Sequence, residues 1–227
     1  MSPPVEIGIL IYPDLTQLDA TGPAQVLVRV PGAKLHMVWK THEPVRTDAG
    51  FAIVPTTTFA ECPQLDVICV PGGAGQVALM TDEETLAFLR QQAAGARYVT
   101  SVCTGSLILG AAGLLKGYRS ACHWAWRDML SALGAEPVAE RVVRDRNRIS
   151  GGGVTAGIDF GLTLAAELAG EDAARLIQLA LEYDPQPPFD CGSPEKAGAE
   201  LTARLRGSFA RILPSRQAAL AAAQARL

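Results

Sequence analysis

The chain has 227 residues, 48% hydrophobic and 19% charged, with 20 Lys plus Arg against 23 Asp plus Glu and a formal net charge of −3. This balance fits a globular α/β domain with an appended piece, and it excludes an overall nucleic-acid or anionic-membrane surface. No basic leader or apolar run of ~18 residues is evident, so no membrane span is expected and the expected location is the cytoplasm. Five cysteines without a CxxC pair indicate a reduced protein, and three scattered histidines argue against a metal site.

Residues 5–12 (VEIGILIY) are the first expected buried strand, ended by Pro13-Asp14. A helix is expected over 24–30, with Thr21 as its cap and Pro23 in its first turn. Asp19 then falls in the first strand-to-helix connection. It either reaches the carboxyl edge of the sheet or caps a loop. Residues 34–40 read as a second strand, and 45–59 as a β pattern with a hairpin turn at Gly50. Residues 65–70 (LDVICV) are a buried strand running into Pro71-Gly72-Gly73. The backbone N–H groups of that turn, Gly73 among them, either face an oxyanion or merely close the turn. The pattern is neither a dinucleotide fingerprint nor a phosphate loop. Thr81 and Glu84 match a capping box that opens a helix to about residue 94, with Leu86, Phe88 and Leu89 as its buried stripe.

Residues 98–102 read as a short buried strand and 106–112 as a helix, with Cys103 at the hinge and Gly105 close behind. Such a turn lifts its central residue to the carboxyl edge of a sheet, where open α/β folds place ligands. The following helix aims its first N–H groups, that of Thr104 included, at the sulfur. The expectation is a readily ionised cysteine, and the thiolate is the nucleophile.

Residues 119–123 read as a strand ending in His123, which either reaches the same edge or is a satisfied core histidine. A helix is expected over 125–133, stopped by Gly134. Residues 140–150 alternate as a solvent-facing edge hairpin turning at Asp145-Arg146-Asn147. Gly151-Gly152-Gly153 precede a helix over 154–168. The N–H groups of Gly152, Gly153 and Val154 either approach the sulfur or belong to a connector. A helix over 171–183 follows. Residues 1–185 form the expected domain. Residues 186–227 are a proline-rich linker and a helical tail, broken at Pro214, that covers a flank of the domain or a partner subunit.

Three motifs together carry a resemblance: Leu18-Asp19-Ala20-Thr21-Gly22-Pro23, Pro71-Gly72-Gly73 and Ser101-Val102-Cys103-Thr104-Gly105. His123-Trp124 and the 151–159 run strengthen it. The sequence resembles the ThiJ/PfpI superfamily, and within it the branch of isonitrile hydratases, over about residues 5–185. The resemblance implies a flavodoxin-like three-layer α/β sandwich with a mostly parallel sheet and the nucleophile at a strand-to-helix turn. It implies a homodimer, Cys103 as nucleophile and Asp19 as acid. Many superfamily members carry glutamate where this chain has Asp19. Protease-like members carry histidine directly after the cysteine, where Thr104 stands here, which argues against peptidase activity.

The implied reaction is hydration of a small-molecule isonitrile to its N-formamide through a cysteine thioimidate, a hydro-lyase chemistry that requires no metal or organic cofactor. Two other readings use the same scaffold. One is glyoxalase or deglycase activity on 2-oxoaldehydes, and the other is a non-enzymatic redox sensor. Related regulators carry C-terminal helix-turn-helix units, for which the roughly 40 residues after Pro185 are too few, so no nucleic-acid partner is expected.

Overall fold

The computed structural model describes residues 4–227. The strands are β1 (Val5–Leu10), β2 (Ala33–Trp39), β3 (Val45–Arg46), β4 (Ala52–Ile53), β5 (Thr57–Thr58), β6 (Val67–Val70), β7 (Tyr98–Val102), β8 (Arg119–Ser120), β9 (Glu136–Pro137), β10 (Val142–Asp145) and β11 (Arg148–Gly151). The helices are α1 (Gln17–Leu27), α2 (Gln76–Leu79), α3 (Glu83–Ala93), α4 (Gly105–Ala111), α5 (Ala156–Ala169), α6 (Glu171–Ala180), α7 (Pro194–Ser208) and α8 (Leu213–Gln224).

Seven strands form one sheet in the order β10-β11-β7-β6-β1-β2-β5. All neighbours are parallel except the edge pair β10 and β11. Helices α1, α5 and α6 pack together on one side, while α2, α3, α4 and α8 form a second group. The result is the expected three-layer α/β sandwich. Central strands in such a sheet are covered on both faces, which is why β6 is four buried residues in a row, Val67, Ile68, Cys69 and Val70. Each fully buried Val, Leu or Ile contributes about 1.5–3 kcal/mol.

Several local expectations are corrected. Helix α1 begins at Gln17, earlier than expected, so Asp19 lies in its first turn and Pro23 lies inside it. Distant segments account for this early start. Asp48 Oδ1 accepts the Gln17 N–H at 3.1 Å, and Gly72 O accepts that of Thr16 at 2.9 Å, satisfying donors that a helix start leaves open. Thr21 is no cap; its hydroxyl donates to Gln17 Oε1 at 2.8 Å. The capping box is also displaced. Asp82 precedes α3, and its Oδ2 accepts the Thr85 hydroxyl at 2.6 Å.

The strand expected at 119–123 shrinks to β8, which pairs with β9 in a separate two-stranded sheet. The helix expected over 125–133 is a 3₁₀ turn at Arg127–Leu133. The hairpin at 140–150 is half interior, because β11 pairs with β7 and buries Ile149 and Ser150. The tail forms α7 and α8. Helix α8 packs on α2, α4 and the 3₁₀ turn, and it buries Arg216, Ala219 and Ala223. No helix among the described residues is long and apolar enough to cross a membrane.

Candidate active site

Cys103 sits between β7 and α4 with φ +59°, a conformation that non-glycine residues rarely adopt. Such strain persists only where surrounding structure fixes it. Here the Cys103 N–H donates to Gly151 O at 3.0 Å, tying the turn to the end of β11. Gly105 permits the turn from the other side, because a Cβ there would lie 1.9 Å from Val70 O. Cys103 is thereby fixed by the ends of β6, β7 and β11. Cys103 is buried, with 6% of the residue exposed.

Asp19 is fully buried, and its carboxyl and the Cys103 thiol lie near enough for each to shift the other's ionisation. Its Oδ2 accepts the Gly72 N–H at 2.9 Å, and its Oδ1 has no aligned donor. Burial outweighs that hydrogen bond and pushes the carboxyl up from 3.8 to about 7. Gly72 is the hub of this corner. A Cβ there would stand 2.5 Å from Thr104 N, 2.7 Å from Thr104 Oγ1 and 2.9 Å from Asp19 Oδ2.

The expected easy ionisation of Cys103 is corrected. Burial first, then the Asp19 charge, raise its thiol well above the ordinary value of 9.0, and the Thr104 N–H only partly opposes them. The resting sulfur is a thiol. Two expected sulfur donors are also corrected. The Gly73 N–H is taken by Thr104 Oγ1 at 3.1 Å, and the Gly152 N–H by Arg141 O at 2.9 Å. Gly153 and Val154 stand at the entry to α5, their carbonyls accepting the N–H groups of Ala156 and Gly157.

His123 follows the buried Cys122, which lies within charge range of Cys103, but its ring lies among Trp124 and Phe209 at 5.6 and 6.2 Å between centroids. Its Nδ1 accepts the Ala125 N–H at 3.3 Å. Burial, then the nearby Arg216 charge, lower it to about 4, so it is neutral near pH 7.

Two residues at this site escape a reading of the sequence. Tyr12, fully buried, donates its hydroxyl to Pro71 O at 2.8 Å, and burial keeps it protonated in the fields of Asp19 and Cys103. Arg216 comes from α8, within charge range of Cys103, Cys122 and Tyr12, and lies over the Trp126 ring at 4.1 Å. A signal for Arg216 existed. It interrupts the stripe that continues through Ala219 and Ala223 at helical spacing, where an arginine on a buried face demands a reason.

No group of three or more His, Cys, Asp or Glu among the described residues is arranged to hold a metal. All five cysteines are free. A cavity of about 360 Å³ lies on the outer side of α1, lined by Leu18, Gln25, Ile158 and Tyr183 among others, and neither Cys103 nor Asp19 lines it.

Known proteins resemble this chain over most of its length. The chain is 62% identical over 193 residues to an isonitrile hydratase of Pseudomonas putida, covering 85% of each chain. It is 30% identical to the HTH-type transcriptional regulator GbdR of Pseudomonas aeruginosa over 80% of this chain, spanning about half (51%) of that regulator. Among solved structures, a ThiJ/PfpI family protein of Pseudomonas syringae superposes with a TM-score of 0.93 at 49% identity, covering 97% of this chain and 91% of that one. Residues 5–167 match the model of the DJ-1/PfpI family, and the chain belongs to that family.

Proposed function

We propose that this chain is an isonitrile hydratase, adding water to R–N≡C to give R–NH–CHO. The observation that carries this is the Cys103–Asp19 pair, a buried thiol beside a carboxyl held near neutrality, in a chain with a 62% identical isonitrile hydratase relative. An isonitrile carbon carries a lone pair and accepts a nucleophile only as a proton arrives. The site therefore needs sulfur and acid at one atom.

Cys103 Sγ bonds to the isonitrile carbon. The thiol proton, passed through the Asp19 carboxyl, arrives on the same carbon, giving the thioimidate Cys103–S–CH=N–R. Water then adds to the CH carbon, with the Asp19 carboxylate taking one proton while the nitrogen gains one. Collapse of the C–S bond releases R–NH–CHO and returns the proton to sulfur. One carboxyl cycling between acid and base contributes on the order of 10²–10⁴-fold. Covalent attachment divides one hard addition into two easier steps. The Thr104 N–H holds developing charge on sulfur, with Gly153 and Val154 at the start of α5 as further donors. His123, neutral and turned to the aromatic cluster, takes no proton in this scheme.

The enzyme acts as a cytoplasmic homodimer in this reading. Five free thiols suit a reducing compartment, and exposed Leu176 and Leu179 on α6 offer apolar surface for a second copy to cover. Light scattering on the purified protein measures the assembly state. The deciding experiment is formamide production from cyclohexyl isonitrile by wild type and Cys103→Ala. Turnover by wild type and none by the variant is expected. Wild-type rates from Cys103→Ala, or consumption of methylglyoxal without isonitrile turnover, would overturn the reading.

A further inference from the structure

Five buried side-chain polar atoms among the described residues have no hydrogen-bond partner, and they belong to only three residues: Asp19, Gln76 and Arg216. Leaving a buried donor or acceptor unmatched costs about 1–3 kcal/mol, more for a charged group. Asp19 is accounted for by the reaction. Arg216 and Gln76 are not.

Arg216 is 3% exposed, and both its Nε and Nη1 lack an acceptor. The Trp126 ring covers the flat face of its guanidinium, which leaves the N–H edges to be satisfied. A buried guanidinium ordinarily faces a carboxylate. The ionisable groups within its charge range are Cys103, Cys122, Tyr12 and His123. The two thiols and the phenol hold their protons and the imidazole is neutral near pH 7, so none is a resting counter-ion. Helix α2 packs against both α4, which starts beside the nucleophile, and α8, which carries Arg216. On α2, Gln76 is fully buried, and both its amide nitrogen and oxygen are without partners. Arg216 is thus a buried positive charge without a counter-ion within charge range of Cys103, and Gln76 is a free buried amide on the helix that packs against both α4 and α8.

We infer that Arg216, assisted by Gln76, receives a carboxylate carried by the substrate, so that the preferred substrates are isonitriles bearing an acid group a short way from the reacting carbon. This rests on the isonitrile hydratase reading and specifies its substrate class. With the isonitrile carbon at Cys103 and the carboxylate at Arg216, the product is an N-formyl amino acid. Arg216 forms no bond to sulfur and takes no proton; it sets specificity. A hydrogen-bonded charge pair contributes about 1.5–3 kcal/mol, which is about tenfold to a hundredfold in kcat/KM.

The test compares isocyanoacetate with its uncharged methyl ester. Wild type should favour the anion by about tenfold or more in kcat/KM, and Arg216→Gln should bring that ratio to within about twofold of one. Arg216→Lys should retain part of the preference. A merely structural role would lower both rates together and leave the ratio standing, which overturns the inference. Binding to wild type alone provides a readout that needs no variant. N-formylglycine should inhibit competitively, and better than N-formylglycinamide; equal inhibition by the two overturns the carboxylate assignment. Hydration of the ester with no preference for the acid defeats this inference and leaves the hydratase reading intact. Hydration of neither, nor of cyclohexyl isonitrile, defeats both.

Discussion

Asp19 is held by one oxygen only, Oδ2 accepting the Gly72 N–H at 2.9 Å while the buried Oδ1 meets no aligned donor. One backbone hydrogen bond is too little to offset full burial of a carboxylate, so the group sits near 7 rather than 3.8. A single turn of glycine backbone thereby sets how easily the acid gives up and regains its proton.

The pH dependence of turnover follows from the pair rather than from either group. On raising the pH, the first proton lost is that of Asp19, near 7, while the Cys103 thiol remains protonated well above 9. The state left behind holds one proton, which internal transfer places on sulfur or on the carboxyl. That state contains the attacking thiolate together with an acid, and the two-proton state does not. Hydration should therefore rise with pH through about 7 and then level off, and kcat/KM measured from about pH 5 to about pH 9 checks this. Asp19→Asn should be severely impaired and should lack the rising limb.

The same carboxyl links stability to pH. Below about 4, Asp19 is protonated whether folded or unfolded, and it costs nothing. As pH rises from about 4 to about 7 the unfolded chain ionises while the folded chain keeps its proton, so stability falls and then levels. At 1.36 kcal/mol per pKa unit, the interval from 3.8 to about 7 amounts to on the order of 4 kcal/mol. Asp19→Asn cannot ionise. It should match wild type near pH 4 and exceed it increasingly up to about pH 7 in urea melts, while losing activity. A stability difference that does not vary with pH would contradict this assignment.

Thiol reactivity should move opposite to catalysis. Burial raises the Cys103 thiol most, and the Asp19 charge is the next cause. Removing that charge in Asp19→Asn leaves the burial and the Thr104 N–H in place, so the thiol becomes more acidic. Iodoacetamide should alkylate Cys103 faster in Asp19→Asn than in wild type at pH 8, although the variant turns over poorly. Mass spectrometry of the Cys103 peptide gives the rate, and slower alkylation in the variant would be the contrary result.

The strands β1, β6 and β7 and the hinge position of Cys103 are legible because short apolar runs, a glycine close behind the cysteine and a proline-glycine turn are local signals. Closeness to strand one leaves Asp19 either at the sheet edge or capping a loop, only the family resemblance favours the former, and no local signal marks its helix start. The residues that satisfy that start, Asp48 and Gly72, lie 31 and 53–56 positions away in the chain. The ionisation of Cys103 was misread for a related reason. The strand-to-helix turn is visible in sequence, but the burial that outweighs its N–H groups arises only when distant segments pack around it. Gly73 looked like a free donor, and only the fold shows Thr104 Oγ1 in its way. Arg216 lies 113 positions after Cys103, in an Ala-rich helix with no motif around it. Burial, not pattern, singles it out.

Gly72 offers a test of how closely these parts are fitted. Its missing side chain is the space in which Thr104 N, Thr104 Oγ1 and Asp19 Oδ2 meet, all within 2.5–2.9 Å of where a Cβ would stand. Two of those atoms are backbone or carboxyl fixed by other bonds, so Gly72→Ala cannot be absorbed by swinging a flexible side chain. The Thr104 N–H must leave the sulfur, or Asp19 must leave the Gly72 N–H. A displacement of about 1 Å at reacting groups costs on the order of 10²-fold in rate, and that loss is expected in kcat for Gly72→Ala. Gly207→Ala in α7, where nothing lies within 4 Å of the new methyl, should keep its rate and stabilise the helix by up to about 1 kcal/mol. Hydration rates and thermal melts of the two variants together separate fit at the corner from a general intolerance of added methyl groups. Equal rates for Gly72→Ala and wild type would mean that the corner yields more easily than its contacts indicate.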